Sequence, residues 1–128
     1  MNRMNQESQR LQPWEYVKTQ RYLTITEEQT ATFTIGSKTF SFHFYPFRGL
    51  MYADISEGES QIANGKRVMP NAWLLPNYVA EGVGNIRFET YKSDGDDYVW
   101  WEGFNVKFRL CSYTAEELEE LEASEEEV

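Results

Sequence analysis

The stretch from Asn85 to Tyr113 constrains the fold most, because two runs in it alternate apolar and polar residues. In the second run Phe104, Val106, Phe108 and Leu110 fall on one face and Asn105, Lys107, Arg109 and Cys111 on the other. A period of two is the signature of a half-buried strand. The first run repeats it on a smaller scale, with Ile86 and Phe88 against Arg87 and Glu89, and Ser93-Asp94-Gly95-Asp96 between the runs is a turn signal. The stretch therefore predicts a long antiparallel pair near the centre of a sheet.

The remaining chain supplies further short strands. Tyr22 to Thr26 is mostly β-branched or aromatic and predicts a strand. Thr30 to Ile35 and Lys38 to Tyr45 flank Gly36-Ser37, a connection that closes hairpins, and Phe40, Phe42 and Phe44 line one face of the second arm. Pro46 cannot donate to a ladder, so the strand ends or becomes an edge there. Phe47, Arg48 and Gly49 turn the chain into Leu50 to Ile55, and Glu57-Gly58-Glu59 turns it again before Gln61 to Ala63. Asn64-Gly65 reads as a tight turn into Arg67, Val68 and Met69. Between Pro70 and Pro76 there is room for one helical turn or a packed loop, in which Trp73 and Leu75 are expected to cap one end of the core.

After Tyr113 the pattern becomes helical, with Thr114 and Glu117 forming a capping box and Ala115, Leu118 and Leu121 on a thin apolar stripe. The last six residues have no apolar face and are expected to fray. The predicted fold is all-β, a small antiparallel β-barrel or sandwich built from hairpins, with a short C-terminal helix. Its parts are a flexible N-terminal arm over residues 1–19, a β domain over 20–113 and an acidic helix and tail over 114–128.

Charge narrows the partners. The net charge is −9, yet eight of the 21 acidic residues lie between Glu116 and Glu127, leaving 13 acids against 12 bases elsewhere. The acidity belongs to the tail, and nothing resembles the clustered Lys and Arg that bind nucleic acid. No stretch approaches the roughly 20 apolar residues that span a bilayer, so no membrane partner is expected. Met1 to Arg10 lacks the apolar segment of a signal peptide, and the single cysteine, Cys111, fits a reducing compartment. Both point to a protein made in a cytoplasm, or incorporated into something assembled there.

Catalytic constellations are scarce. His43 is the only histidine, and a Ser-His-carboxylate set drawn through Ser41 or Ser112 and Asp54 has no elbow motif behind it. One His and one Cys cannot make an ordinary zinc site. Asp94, Asp96 and Asp97 lack the later bidentate Glu of a calcium loop. No catalytic residue, metal or cofactor is predicted. Trp100 and Trp101, adjacent on an expected strand, should point to opposite faces, one into the core and one outward. An outward tryptophan suits a protein interface or a sugar-stacking site. With Trp14, Tyr16, Trp73, Leu118 and Leu121, the pair makes up the candidate interface set; for Trp14 and Tyr16 a staple of the arm onto the body is favoured over a docking point.

The order of elements is similar to that of a known family. An aromatic hairpin around Thr32 to Phe44 is followed by a strand at Leu50 to Ile55. Gly65-Lys66-Arg67-Val68 then leads to Trp73-Leu74-Leu75, and Gly103 leads into Val106 to Leu110. Over about Thr30 to Tyr113 the chain resembles the small domain family named after the plug protein of a cyanophage baseplate, found in contractile-tailed phages and prophages. The resemblance implies a non-enzymatic virion subunit of the tail baseplate, assembled in the host cytoplasm and held by contacts with hub, spike or tube-initiating proteins. It leaves homo-oligomerisation open and brings no catalytic residues. The arm through Thr19 and the acidic helix after Thr114 depart from the family's compact pattern. A carbohydrate-binding β module is the alternative, with a small β-barrel enzyme or ligand carrier behind it.

Overall fold

The computed structural model describes residues 18–90 and 98–126. Seven strands run in chain order as β1 (Thr19–Arg21), β2 (Gln29–Ile35), β3 (Lys38–Phe47), β4 (Leu50–Glu57), β5 (Ser60–Arg67), β6 (Gly84–Thr90) and β7 (Phe108–Thr114). A single helical turn, α1 (Asn77–Ala80), precedes β6, and the longer helix α2 (Ala115–Glu126) follows β7. The strands form two antiparallel sheets, a four-stranded meander β2-β3-β4-β5 and a three-stranded sheet β1-β7-β6.

Aromatic alternation builds the core. In β3 the side chains of Phe40, Phe42 and Phe44 point inward and are fully buried. They meet Ile86 and Phe88 of β6 and Phe108 and Leu110 of β7 in one cluster, with the Phe44 ring 5.5 Å from Phe88 and edge-on to it. Phe104 stacks on Phe88 at 5.4 Å. The two sheets thus face each other across a shared core, and the described strands close no barrel.

The second face of the three-stranded sheet is covered as well. Cys111, Tyr113 and Leu121 are buried together, with Leu118 and Trp73 against them, so α2 forms a third layer. Its start follows the capping box in full: the Thr114 N–H donates to Glu117 Oε1 at 2.8 Å and the Glu117 N–H to Thr114 Oγ1 at 3.2 Å. The helix runs on to Glu126 instead of fraying after Glu122.

Several sequence expectations are corrected. The antiparallel pair spans Gly84 opposite Thr114 to Thr90 opposite Phe108, so Asn105 to Lys107 is a turn and Val106 is exposed. Asn105 causes this, because its φ of 69° breaks the extended run while its side chain clamps both the N–H and the C=O of Leu23. Cys111 alternates with the apolar positions of β7, and α2 buries the face on which it lies. The strand expected at Tyr22 to Thr26 lies earlier, at β1, since the Leu23 backbone groups are engaged by Asn105.

Asn64-Gly65 is no turn: β5 continues through it, and the register slips by one residue between Ala53 opposite Lys66 and Ile55 opposite Ala63. Gly65 takes a φ of 69° and its N–H donates to Asp54 Oδ1 at 2.7 Å, which makes it a bulge. Pro46 stays in β3, beyond the last residue that β2 pairs, which is where an edge accommodates it. Leu74 and Leu75 enter the main core, whereas Trp73 lies on the opposite side of the sheet, edge-on to Tyr113 at 5.4 Å. The Ser93 to Asp96 turn and the Asp94, Asp96, Asp97 cluster lie outside the described residues.

A candidate assembly surface

Because Phe40, Phe42 and Phe44 point inward, the alternate positions of β3 put His43, Tyr45 and Phe47 on the outer face of the four-stranded sheet. Register sets Tyr52 of β4 opposite Tyr45 and Asp54 opposite His43. The result is a continuous ladder. His43 stacks on Tyr45 at 5.1 Å, Tyr45 on Tyr52 at 6.1 Å, Phe47 lies edge-on to Tyr52 at 6.1 Å, and the Arg48 guanidinium sits 5.1 Å over Phe47. Such contacts fix the rings in place before any partner arrives, which lowers the entropic cost of binding through them.

Polar groups hold one end of the ladder. His43 Nε2 is 2.8 Å from Glu28 Oε2 and its Nδ1 is 3.6 Å from Asp54 Oδ2. Tyr45 donates to Asp54 at 3.3 Å, and slight burial together with the Asp54 charge raises its phenol above the ordinary value. This is a histidine between two carboxylates on an open sheet face, with Ser41 and Ser56 beside it. No hydrogen bond links either serine to the imidazole, so the arrangement does not activate a hydroxyl. Replacing His43 with alanine is expected to leave the fold within about 1 kcal/mol of wild type, since an exposed ion pair contributes little. Urea unfolding checks this.

Other chemically capable groups are spent on structure. Burial and the nearby Glu89 push the Cys111 thiol up to about 11, so it is protonated at neutral pH. Glu89 accepts from Lys18 Nζ at 2.9 Å, from Arg87 Nε at 2.9 Å and from the Tyr113 hydroxyl. Arg87 in turn covers the Trp73 ring at 4.3 Å. Among the described residues no group of three or more His, Cys, Asp or Glu is placed to hold a metal ion.

The expected interface residues are dispersed. Trp14 and Tyr16 lie outside the described residues. Leu118 and Leu121 face the chain's own sheet, as does Trp73. Trp100 and Trp101 are not split between core and solvent: Trp100 is extended, Trp101 begins a 3-10 turn through Gly103, and both are half-buried against the main core. The strand period therefore does not govern them. Trp100 donates to Glu102 at 3.2 Å and lines an open cavity of about 600 Å³ with Tyr98, Val106 and Phe108. The Tyr45, Phe47 and Tyr52 ladder was missing from the expected set. Its signal was the second face of the phenylalanine strand, where aromatic residues recur at the alternate positions.

A family model described as "Cyanophage baseplate Pam3 plug gp18" matches residues 20–115. The match takes in every strand but the first residue of β1 and ends as α2 begins. No curated protein matches the chain.

Proposed function

The chain belongs to the cyanophage baseplate plug family and has a structural role in a phage baseplate, and from that premise we propose that it acts as a hub-associated plug through protein contacts alone. The family match carries this reading, and the structure agrees with it chemically. Its thiol is buried, its histidine sits on an open face with no activated nucleophile beside it, and its buried carboxylate is neutralised by two cations. What the surface offers instead is preordered, partly exposed aromatic area, the kind of residue that anchors interfaces. Hub, spike or tube-initiating proteins are the proposed neighbours, met during assembly in the host cytoplasm.

Trp100 tests the reading. Because its ring is half-buried and edges an open cavity, Trp100→Ala is expected to cost the isolated domain about 2 kcal/mol or less. Loss of an aromatic anchor should remove a further 2 kcal/mol or so of contact energy, roughly thirtyfold in affinity. The expected result is a folded variant, by its unfolding curve, that is depleted from purified tails when supplied in place of wild type. A variant that enters tails at wild-type levels removes Trp100 from the interface.

A further inference from the structure

Two groups of like charge without an ion-pair partner lie on different layers of the molecule. Among the described residues, Arg48, Lys66 and Arg67 have no carboxylate within ion-pair distance, and all three lie at one end of the four-stranded sheet. Arg67 is directly across from Tyr52 and shares its outer face, Arg48 sits over Phe47 in the turn between β3 and β4, and Lys66, across from the core-facing Ala53, lies on the other face of β5 at the same end. The other described cations are differently engaged: Lys18 and Arg87 hold Glu89, Lys38 meets Glu57, Arg21 bonds Ser112 and the Thr34 carbonyl, Lys107 lies 5.8 Å over the Phe108 ring, and Arg109 also has a partner. Beside these cations Phe47 exposes 55% of its surface. The one acid within the ladder, Asp54, already accepts from Tyr45 and from the Gly65 N–H.

The third layer shows the reverse. Glu116, Glu119, Glu120 and Glu122 are exposed on α2, none is in an ion pair among the described residues, and the last turn of the helix has no basic residue. Acids three and four apart on a helix stand about 5–6 Å from one another. Neighbouring strands of a sheet are about 4.8 Å apart. A helix laid across the sheet end can therefore bring one glutamate to Arg67 on β5 and another, about a turn further along, to Arg48 at the β3–β4 turn.

We propose that the aromatic and basic end of the four-stranded sheet takes the acidic face of α2 from a second copy of this chain, so that copies associate head to tail. The two patches are complementary in charge and lie on different layers, so one copy cannot satisfy itself. A contact between unlike surfaces is heterologous, and it closes into a ring or extends as a stack. The inference names one contact within the assembly role proposed above, and its test needs no baseplate.

Sedimentation velocity of the full chain gives the test. Wild type is expected to associate with rising concentration at about 50 mM salt and to become monomeric at about 0.5 M, where the Debye length shrinks to a few ångströms. Arg48→Glu with Arg67→Glu, and separately Glu119→Lys with Glu120→Lys, are each expected to weaken association more than tenfold. Mixing the two variants is expected to restore it, because each then offers a patch opposite in charge to the other's helix. A wild type that is monomeric at low salt overturns the inference, as does association indifferent to the reversals or not restored by mixing. A monomeric wild type that still enters tails would refute the self-contact and leave the baseplate role standing. If the reversals instead block tail entry while wild type stays monomeric, the patch serves a different acidic partner and the inference fails.

Discussion

Gly84→Ala is expected to abolish stable folding of the domain. Gly84 opens β6 with a φ of 133°, and a Cβ placed there would lie 2.1 Å from the Tyr113 carbonyl oxygen and 2.9 Å from Thr114 Cα. Both are backbone atoms of the β6–β7 ladder, in which Gly84 is opposite Thr114, so neither can swing aside without breaking the pairing that leads into α2. A side chain at such a φ costs on the order of 1–3 kcal/mol from strain alone, and the backbone clash adds to it. Against a typical total stability of about 5–15 kcal/mol, that is enough to populate the unfolded state at growth temperature. Gly49→Ala is the control: Gly49 has a φ of 80° in the turn between β3 and β4, but a Cβ there meets nothing within 4 Å. Circular dichroism melts should show a large loss for Gly84→Ala and a loss of about 1 kcal/mol for Gly49→Ala.

The second large effect centres on Glu89. Glu89→Ala leaves Lys18 and Arg87 with no carboxylate in a half-buried site and deprives the Tyr113 hydroxyl of its acceptor. Stranding buried charge in this way costs about 3–5 kcal/mol. The pH dependence carries the same signature. Burial by itself would raise the Glu89 carboxyl, but hydrogen bonds from Tyr113, Lys18 and Arg87 outweigh it and hold the group below its ordinary value. A carboxyl depressed in the folded state contributes stability that is complete above its unfolded value of about 4.3 and is lost as pH falls through the folded value. Tyr113 behaves oppositely, since burial and Glu89 raise its phenol. Its contribution is complete below about pH 10 and is lost above that. Wild type should therefore be most stable between about pH 5 and 9, and Glu89→Gln should flatten the acid limb of a plot of urea midpoint against pH. An acid limb of unchanged slope in Glu89→Gln would remove Glu89 as its source.

The same residues show what a sequence can and cannot carry. The alternation of Phe40, Phe42 and Phe44 around Gly36-Ser37, and the Thr114 and Glu117 box, are local rules, and the local rules hold in the fold. Asn64-Gly65 fails as a turn because its conformation is decided by Asp54 on the neighbouring strand, which accepts the Gly65 N–H and lets β5 continue. Asn105 likewise ends the expected strand by binding Leu23, 82 residues earlier in the chain. Glu89 reads as solvent-facing from its neighbours in β6, yet donors from three separate segments converge on it once α2 and Trp73 cover that face. Two leucines gave little sign that the helix would bury a sheet face. The aromatic ladder was partly legible, since the second face of β3 is written in His43, Tyr45 and Phe47. Pairing Tyr45 with Tyr52 required the register.

Cryo-electron microscopy of assembled tails purified with this chain tests the central claim most directly. The account predicts density for the two-sheet domain at the baseplate centre, in contact with hub or spike subunits, with Trp100 or the Tyr45, Phe47 and Tyr52 ladder in a protein interface. Complete tails in which the chain is absent from the baseplate, or present with both aromatic surfaces open to solvent, would contradict it.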